Sequence, residues 1–181
     1  MRGTLAEITD KRCGVHRMIF DDRFYLEIAL EEGIKSGKEG THPIGAIIVA
    51  PSGEIISRGR NRIYTTWDSS AHAEIDAIRN AGKYLFGKEN KFIHTLYTSV
   101  EPCPMCAGAI LLADIGRVVW ALNDNYMGAF RTLKTGKRFR DRLDRIHFSA
   151  APYEDLAIKQ ERIYKEWDEG RGQAYEVSKL E

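Results

Sequence analysis

The 181-residue sequence predicts a three-layer α/β/α sandwich, in which helices cover both faces of a mixed sheet. Helical and extended patterns alternate in the order helix, hairpin, helix, strand, helix, strand, which is typical of an α/β domain. Hydrophobic residues make up 43% of the chain and charged residues 29%, as in ordinary globular proteins, and the length suits one sizeable core. We therefore expect a single domain over residues 1–181.

The first firm element is a helix close to the N-terminus. Apolar side chains recur near helical spacing from Phe24 onward, two aspartates precede them, and Gly37 follows. Acidic residues are stabilised by the dipole at the start of a helix. The pattern predicts a packing helix over Phe24–Ser36. Residues 1–20 have weak periodicity and mixed charge, so we expect an arm there.

Extended patterns come next. Gly45–Ala50 is a nearly continuous apolar run, Pro51–Gly53 has turn residues, and Glu54–Ser57 resumes an extended pattern, so this stretch predicts a β-hairpin. Thr95–Val100 and Val118–Trp120 are rich in β-favouring residues. We expect each of them to form a strand.

Three further helices are predicted. Ser69 and Ser70 are suited to cap a helix over Ala71–Asn80. Met105–Ala113 indicates a buried helix that follows a strand directly, and Asp155–Trp167 indicates a final helix. Beyond residue 123 the patterns between these elements are weak.

The composition limits the partners and the compartment. A formal net charge of +1 gives the chain no overall attraction to nucleic acid or to an anionic membrane. No apolar run is long enough to span a bilayer, and no signal-peptide pattern is present. With only three cysteines, no disulfide framework is expected. We expect a cytoplasmic protein, with Cys13 as a thiol of no special role.

Four residues carry the chemistry. His72 and Glu74 form a His-x-Glu pair, and Cys103 and Cys106 lie in a Pro-Cys-x-x-Cys segment. Imidazole and thiolate are preferred zinc ligands, and a site with only three protein ligands keeps a position open for water, as catalytic zinc sites do. We interpret His72, Cys103 and Cys106 as Zn²⁺ ligands and Glu74 as the proton carrier beside a zinc-activated water.

The local geometry supports this interpretation. Cys103 and Cys106 are three positions apart, so both can grip one ion from the first turn of a helix. Pro104 suits the first helical position because no hydrogen bond is lost there. Residues two apart point to nearly opposite sides of a regular helix, so His72 and Glu74 can face one site only where a helix begins.

Other interpretations stay open. A Cys-x-x-Cys pair alone could be a redox pair or half of a four-cysteine structural site. The remaining cysteine, Cys13, is far upstream and cannot supply a second pair. A non-catalytic zinc module is a further alternative, in which Cys13 or His94 fills the fourth position, although Glu74 would then have no purpose.

At these residues the chain resembles the cytidine deaminase-like superfamily, in the branch that holds tRNA adenosine deaminases, guanine deaminases and fungal-type cytosine deaminases. The similarity extends from about residue 22 to 124, and His-x-Glu followed by Pro-Cys-x-x-Cys is the signature of zinc nucleobase deaminases. The matching segments are His42–Ala46, Gly59–Arg62, Ser70–Ile75 and Leu96–Ile110.

This resemblance implies a five-stranded mixed sheet, one zinc ion per subunit and a homodimer. It implies that Asn61 hydrogen-bonds the substrate base, and that Ala73 and Glu101 also belong to the substrate-binding site. We expect residues 125–181 to be a variable region that completes the substrate pocket. The aromatic residues that are candidates to stack on a flat heterocycle are Trp67, Tyr126 and Phe130.

The substrate signals conflict. Ile115–Val119 resembles the tRNA enzymes, whereas Leu96–Ser99 and Pro102–Cys106 resemble the guanine deaminases. A basic run, Arg131–Arg145, could follow a nucleic-acid backbone, although such runs are more often solvated faces. An acidic final helix would repel tRNA phosphates, so we favour a free nucleobase or nucleoside over tRNA. The acidic residues of that helix are Glu154, Asp155, Glu161, Glu166, Asp168 and Glu169.

Overall fold

The computed structural model describes residues 6–9, 16–19, 21–131 and 137–170, and its element order follows the predicted alternation of helices and strands. The strands are β1 (Ala6–Thr9), β2 (His16–Ile19), β3 (Gly45–Val49), β4 (Ile55–Arg60), β5 (Thr95–Val100), β6 (Arg117–Leu122) and β7 (His147–Ala150). The helices are α1 (Asp22–Lys38), α2 (Ile63–Thr66), α3 (Ala73–Ala81), α4 (Pro104–Leu112), α5 (Lys137–Leu143) and α6 (Glu154–Gly170), with a 3-10 turn at Gly82–Leu85.

The central sheet has five strands in the order β4-β3-β5-β6-β7. β3 is antiparallel to both of its neighbours, whereas β5, β6 and β7 are parallel to one another. One row of paired residues crosses four of the strands: Ala46 lies opposite Thr98, Thr98 opposite Trp120, and Trp120 opposite Ala150. The predicted five-stranded mixed sheet is confirmed.

Helices cover both faces of this sheet, as predicted. Successive side chains of a strand point to opposite faces, and β3 places Ala46 and Ile48 in one core and Ile47 and Val49 in the other. The first core also contains the apolar residues of α3 and α4, and the second those of α1 and α6. All four of these β3 side chains are fully buried, so the sheet is the middle of three layers.

Several chain segments meet where strands of the central sheet begin or end, along one side of the sheet. We call it the carboxyl edge, because β5 and β6 end there. Since β3 runs in the opposite direction, it begins at this edge and β4 ends there. α6 reaches the same edge at its middle and near its end: Gln160 donates a 2.9 Å hydrogen bond to the carbonyl of Pro43, and the ring of Trp167 lies 4.8 Å from that of His42.

The prediction that Ser69 and Ser70 cap the second long helix is wrong. The N-cap residue of α3 is His72, so the helix begins at Ala73 rather than Ala71. The hydroxyl of Ser70 instead donates to the carboxylate of Asp68 at 2.7 Å, and this local turn delays the start of the helix.

Several elements were not predicted. The expected N-terminal arm contains β1 and β2, which pair with each other in antiparallel fashion. The edge strand β7 has only four residues and three of them are exposed, so it carries no apolar alternation that a sequence pattern could reveal. The short helices α2 and α5 were also missed. Among the described residues, no helix combines the length and the apolar character needed to cross a bilayer.

Candidate active site

The first half of the site is the start of α3. His72 occupies the N-cap position with an extended backbone, φ −73° and ψ 157°, and Glu74 follows at the second helical position. The change from extended to helical backbone between them lets both side chains approach one region, as the spacing required. Ala73 lies between them and is fully buried in the core, and its contact with a substrate stays a prediction.

The second half is the start of α4, which follows β5 directly. Cys103 is the N-cap residue, Pro104 is the first helical residue, and Cys106 lies in the first turn. The ligand atoms of His72, Cys103 and Cys106 all lie within 4.8 Å of one another, and Cys103 Sγ is 3.6 Å from His72 Nδ1. Two helices of nine residues each therefore begin at one point, and their N-terminal dipoles favour negative charge there.

This donor set fits a zinc ion. Imidazole nitrogen and thiolate sulfur are both common zinc ligands. A tetrahedral zinc ion would hold one such nitrogen and one such sulfur about 3.5 Å apart. The separation between His72 Nδ1 and Cys103 Sγ, 3.6 Å, is close to this value. Within the described ranges no fourth histidine, cysteine or carboxylate joins the group. His94, proposed above as an alternative fourth ligand, is not part of it, and Cys13 lies outside the described residues.

Glu74 is a buried carboxyl group beside these donors. Only 4% of the residue is exposed, and burial raises the pKa of its side chain to about 7. Hydrogen bonding by the Cys106 thiol, and then by the His72 ring, lowers the pKa of the Cys103 thiol to about 4. The site therefore holds a thiolate, and next to it a carboxyl group that can exchange a proton near neutral pH.

Asn61 lies at the end of β4, against the start of α3. The backbone amide of Arg62 donates to the carbonyl of Ala71 at 2.9 Å, and this bond holds the turn after β4 beside His72. The Asn61 side chain is 1% exposed. Its Oδ1 accepts hydrogen bonds from the Thr41 hydroxyl at 2.6 Å and from the Ile63 amide at 3.1 Å.

Glu101 lies two residues before Cys103, and its buried carboxylate is occupied within the chain. It accepts hydrogen bonds from the Arg131 amide at 3.1 Å, from the Arg131 guanidinium at 2.7 Å and from the Asp124 amide at 3.3 Å. The amide of Ala129 also donates to Pro102 at 3.0 Å. Glu101 thus fastens the loop 124–131 to the ligand-bearing turn, and its direct contact with a substrate stays a prediction.

The three aromatic candidates have different surroundings. Phe130 is 3% exposed and packs 5.9 Å from Trp120, so it belongs to the core and is not available for stacking on a ligand. Tyr126 is 65% exposed on the loop 124–131. Trp67 ends α2 in a left-handed conformation, φ 55°, and is 91% exposed on the segment between Asn61 and His72.

Sequence reasoning missed Thr41 and Ser36. Both are fully buried, and the hydroxyl of Ser36 lies 2.7 Å from the carbonyls of His42 and Asn61. A threonine and a serine of this kind have no local sequence signature, because their partners are six to 25 residues away. The only sequence signal beside Thr41 is the adjacent His42–Ala46 segment, which is one of the segments that resemble the deaminase superfamily.

Comparison with known proteins agrees with this geometry. A family model for the cytidine and deoxycytidylate deaminase zinc-binding region matches residues 20–122. The cytosine deaminase of Candida albicans is 40% identical over 111 residues, which is 61% of this chain and 73% of that protein.

Two solved structures have the same architecture. One, from a study of A-to-I editing by tRNA:A34 deaminases, is 33% identical with a TM-score of 0.62, and the match covers 76% of this chain and 99% of that one. The other, the guanine deaminase of Bacillus subtilis, is 38% identical with a TM-score of 0.53, covering 58% of this chain and 66% of that one. The chain therefore belongs to the cytidine deaminase-type family of zinc-binding deaminases.

Proposed function

We propose that this protein is a zinc-dependent hydrolytic deaminase that acts on a purine or pyrimidine as the free base or nucleoside. The observation that carries the proposal is the buried Glu74 carboxyl next to the clustered donor atoms of His72, Cys103 and Cys106. In the reaction one water adds to the ring carbon that bears the amine, the carbon–nitrogen bond breaks, and a carbonyl and ammonia remain.

Each residue has a distinct role in this proposal. His72, Cys103 and Cys106 hold the zinc ion, which when bound activates water for attack at neutral pH. The Glu74 carboxylate accepts a proton from the attacking water, passes it to a ring nitrogen, and then protonates the departing amine. The amide of Asn61 hydrogen-bonds the base. Because Glu74 is not one of the three clustered donors, its oxygens are available for proton transfer.

The substrate class is argued from charge. α6 carries six acidic residues against three basic ones, Lys159, Arg162 and Lys165, so its net charge is negative. Its end reaches the carboxyl edge, where Trp167 approaches His42. A polyanion such as tRNA would meet repulsion there, whereas a neutral base would not. We propose that α6 and the loop 124–131 complete the pocket for a small ligand.

The basic run supports the same choice. Three of its arginines are already engaged: Arg131 with Glu101, Arg142 with Asp114, and Arg145 over the ring of Phe92 at 4.5 Å. Lys134, Lys137 and Arg138 of this run lie among residues whose side chains the structure does not describe. Arginines held by carboxylates and rings are poorly placed to neutralise phosphates.

A tRNA wobble-adenosine deaminase is the second candidate, because a related structure of that class matches over nearly its whole length. One comparison separates the two. Zinc-loaded protein is incubated with a panel of free bases and nucleosides, with ammonia release as readout, and in parallel with tRNA, with inosine as readout. We expect conversion of a free base or nucleoside and no inosine formed in the tRNA. Inosine without conversion of any small substrate would reverse the assignment, and no product in either assay would favour the non-catalytic module.

We also propose a cytoplasmic homodimer. Light scattering coupled to gel filtration should give about 41 kDa, twice the 20.6 kDa of one chain. A mass of one chain across micromolar concentrations would contradict the dimer.

A further inference from the structure

We infer that Thr41 is a positioning residue that fixes the side-chain amide of Asn61, so that Asn61 offers the substrate a hydrogen-bond donor and never an acceptor. The inference rests on the proposed function and deepens it. It identifies the substrate as a ring whose bound edge carries an unprotonated nitrogen or a carbonyl oxygen opposite Asn61.

A short relay of hydrogen bonds carries the argument. The backbone amide of Tyr64 lies 3.4 Å from the Thr41 hydroxyl oxygen and donates to it. The Thr41 hydroxyl in turn donates to Asn61 Oδ1 at 2.6 Å, and the Ile63 amide donates to the same oxygen at 3.1 Å. Both backbone groups can only donate, so the direction of the relay is fixed.

The relay determines which way the Asn61 amide points. If the amide were rotated by 180°, its NH₂ group would face the Ile63 amide, and two donors would oppose each other in a site that is 1% exposed. Leaving buried polar groups unpaired is unfavourable. Thr41 adds a second donor bond to Oδ1, and this bond uses its one hydroxyl proton, so Thr41 acts through Asn61 and has no donor left for the substrate.

The opposite end of the amide has no partner. Within the described part of the chain, no acceptor lies within hydrogen-bond reach of Asn61 Nδ2, although this atom is buried. Buried donors in folded proteins are nearly always satisfied, so an unsatisfied one beside a binding site points to a missing acceptor. Asn61 lies beside the start of α3, because the next residue, Arg62, donates its backbone amide to the carbonyl of Ala71 at 2.9 Å. We assign that acceptor to the substrate.

The chemical consequence concerns the protonation of the bound edge. A lone pair on a ring nitrogen or a carbonyl oxygen can accept from Nδ2. A ring N–H in the same place would meet another donor and would be rejected. A site that recognises a substrate through a buried hydrogen bond discriminates strongly against analogues lacking the partner atom.

The test uses full-length, zinc-loaded protein and the best free base from the substrate panel. Thr41→Val keeps the shape of the side chain and removes the hydroxyl. We expect KM to rise on the order of 10-fold, the equivalent of about 1.4 kcal/mol, while kcat and zinc content change little. Thr41→Ser restores the hydroxyl and should return KM towards the original value. Thr65→Val, on the exposed surface of α2, is the matched control for loss of a threonine hydroxyl.

A double mutant separates positioning from general packing. In an Asn61→Ala background, Thr41→Val should raise KM no further, because the amide on which Thr41 acts is gone. An unchanged KM in Thr41→Val, or equal effects of that change with and without Asn61, would overturn the inference.

A second measurement does not depend on catalysis. The chain has five asparagines, so ¹⁵N-asparagine labelling gives few side-chain amide signals, and Asn61→Asp identifies the one from Asn61. We expect slow hydrogen exchange of this signal in the original protein and faster exchange in Thr41→Val. Equal exchange in both would contradict the role of Thr41. If no base is converted but the exchange differs, the proposed substrate class fails while the positioning role holds.

Discussion

At the scale of single residues, Glu74 and Glu101 are both buried carboxyl groups near the proposed ligands, but only Glu101 is paired with an arginine. Glu74 is almost fully buried, and no lysine or arginine forms an ion pair with it among the described residues. Burying a carboxyl group without a cation is unfavourable, and the raised pKa of Glu74 reflects this. Such a cost is typical of a group kept for chemistry rather than for stability.

We therefore expect Glu74→Gln to lower kcat by about 10²- to 10⁴-fold, because the amide cannot accept and return a proton. The zinc content should stay at one ion per chain, since Glu74 is outside the proposed ligand set. Kinetics together with metal analysis check both points. Glu89→Gln, at an exposed glutamate, is the control. Nearly full activity in Glu74→Gln would remove the assigned role.

The sequence predicted some of these residues and not others for a physical reason. The proposed roles of His72, Glu74, Cys103 and Cys106 are indicated by two short spacings, one within each motif, which a linear pattern contains. The bonds of Glu101 to Arg131 and of Thr41 to Asn61 join residues 30 and 20 positions apart, so no local spacing indicates them.

At the scale of elements, the approach of β4 to α3 decides how tightly the site is assembled. A Cβ atom on Gly59 would lie 2.2 Å from the Ala77 amide nitrogen and 2.4 Å from the Ala73 carbonyl oxygen. Both obstacles are backbone atoms of α3, which cannot rotate away. Gly59 thus allows β4, the strand just before Asn61, to touch the helix that begins after His72.

We expect Gly59→Ala to destabilise the fold by about 1–3 kcal/mol, because the strand must move off the helix. Gly108→Ala is the matched control: its added methyl group meets nothing within 4 Å in α4. Since alanine favours a helix over glycine, that variant should gain up to about 1 kcal/mol. Urea unfolding measures both free energies. A Gly59→Ala variant as stable as Gly108→Ala would show that the close contact does not constrain the fold.

Elements with a strong pattern of apolar residues were predicted, and elements with a weak pattern were not. The buried strands β3 and β5 and the amphipathic helices have apolar residues that reveal their type. The start of α3 was placed two residues early, because serines resemble caps in sequence while the structure uses His72 instead. The exposed strand β7 is defined by its pairing with β6, which a single sequence does not encode locally.

At the scale of the whole molecule, the two apolar cores share the same strands. Ile47 and Ile48 are neighbours in β3 but belong to different cores, and so do Val118 and Val119 in β6. Unfolding of either helical layer would expose one apolar face of the sheet to water. We therefore still expect a single domain.

We expect zinc-loaded protein to unfold in one cooperative transition, with coincident midpoints for the far-UV and near-UV circular dichroism signals. Removal of zinc by a chelator should lower the midpoint temperature, because the metal binds the folded state preferentially. It should not split the transition, since both cores remain. Two separate transitions in the zinc-loaded protein would indicate that the layers unfold independently.

The position of Trp67 has a practical consequence. The chain has three tryptophans: Trp120 is fully buried, Trp167 is partly buried, and Trp67 is 91% exposed on the segment between Asn61 and His72. Its indole therefore contributes long-wavelength emission that iodide can quench, while the emission of Trp120 is shielded. Ligand titrations can follow this built-in fluorophore without any label, and a Trp67→Phe variant supplies the blank.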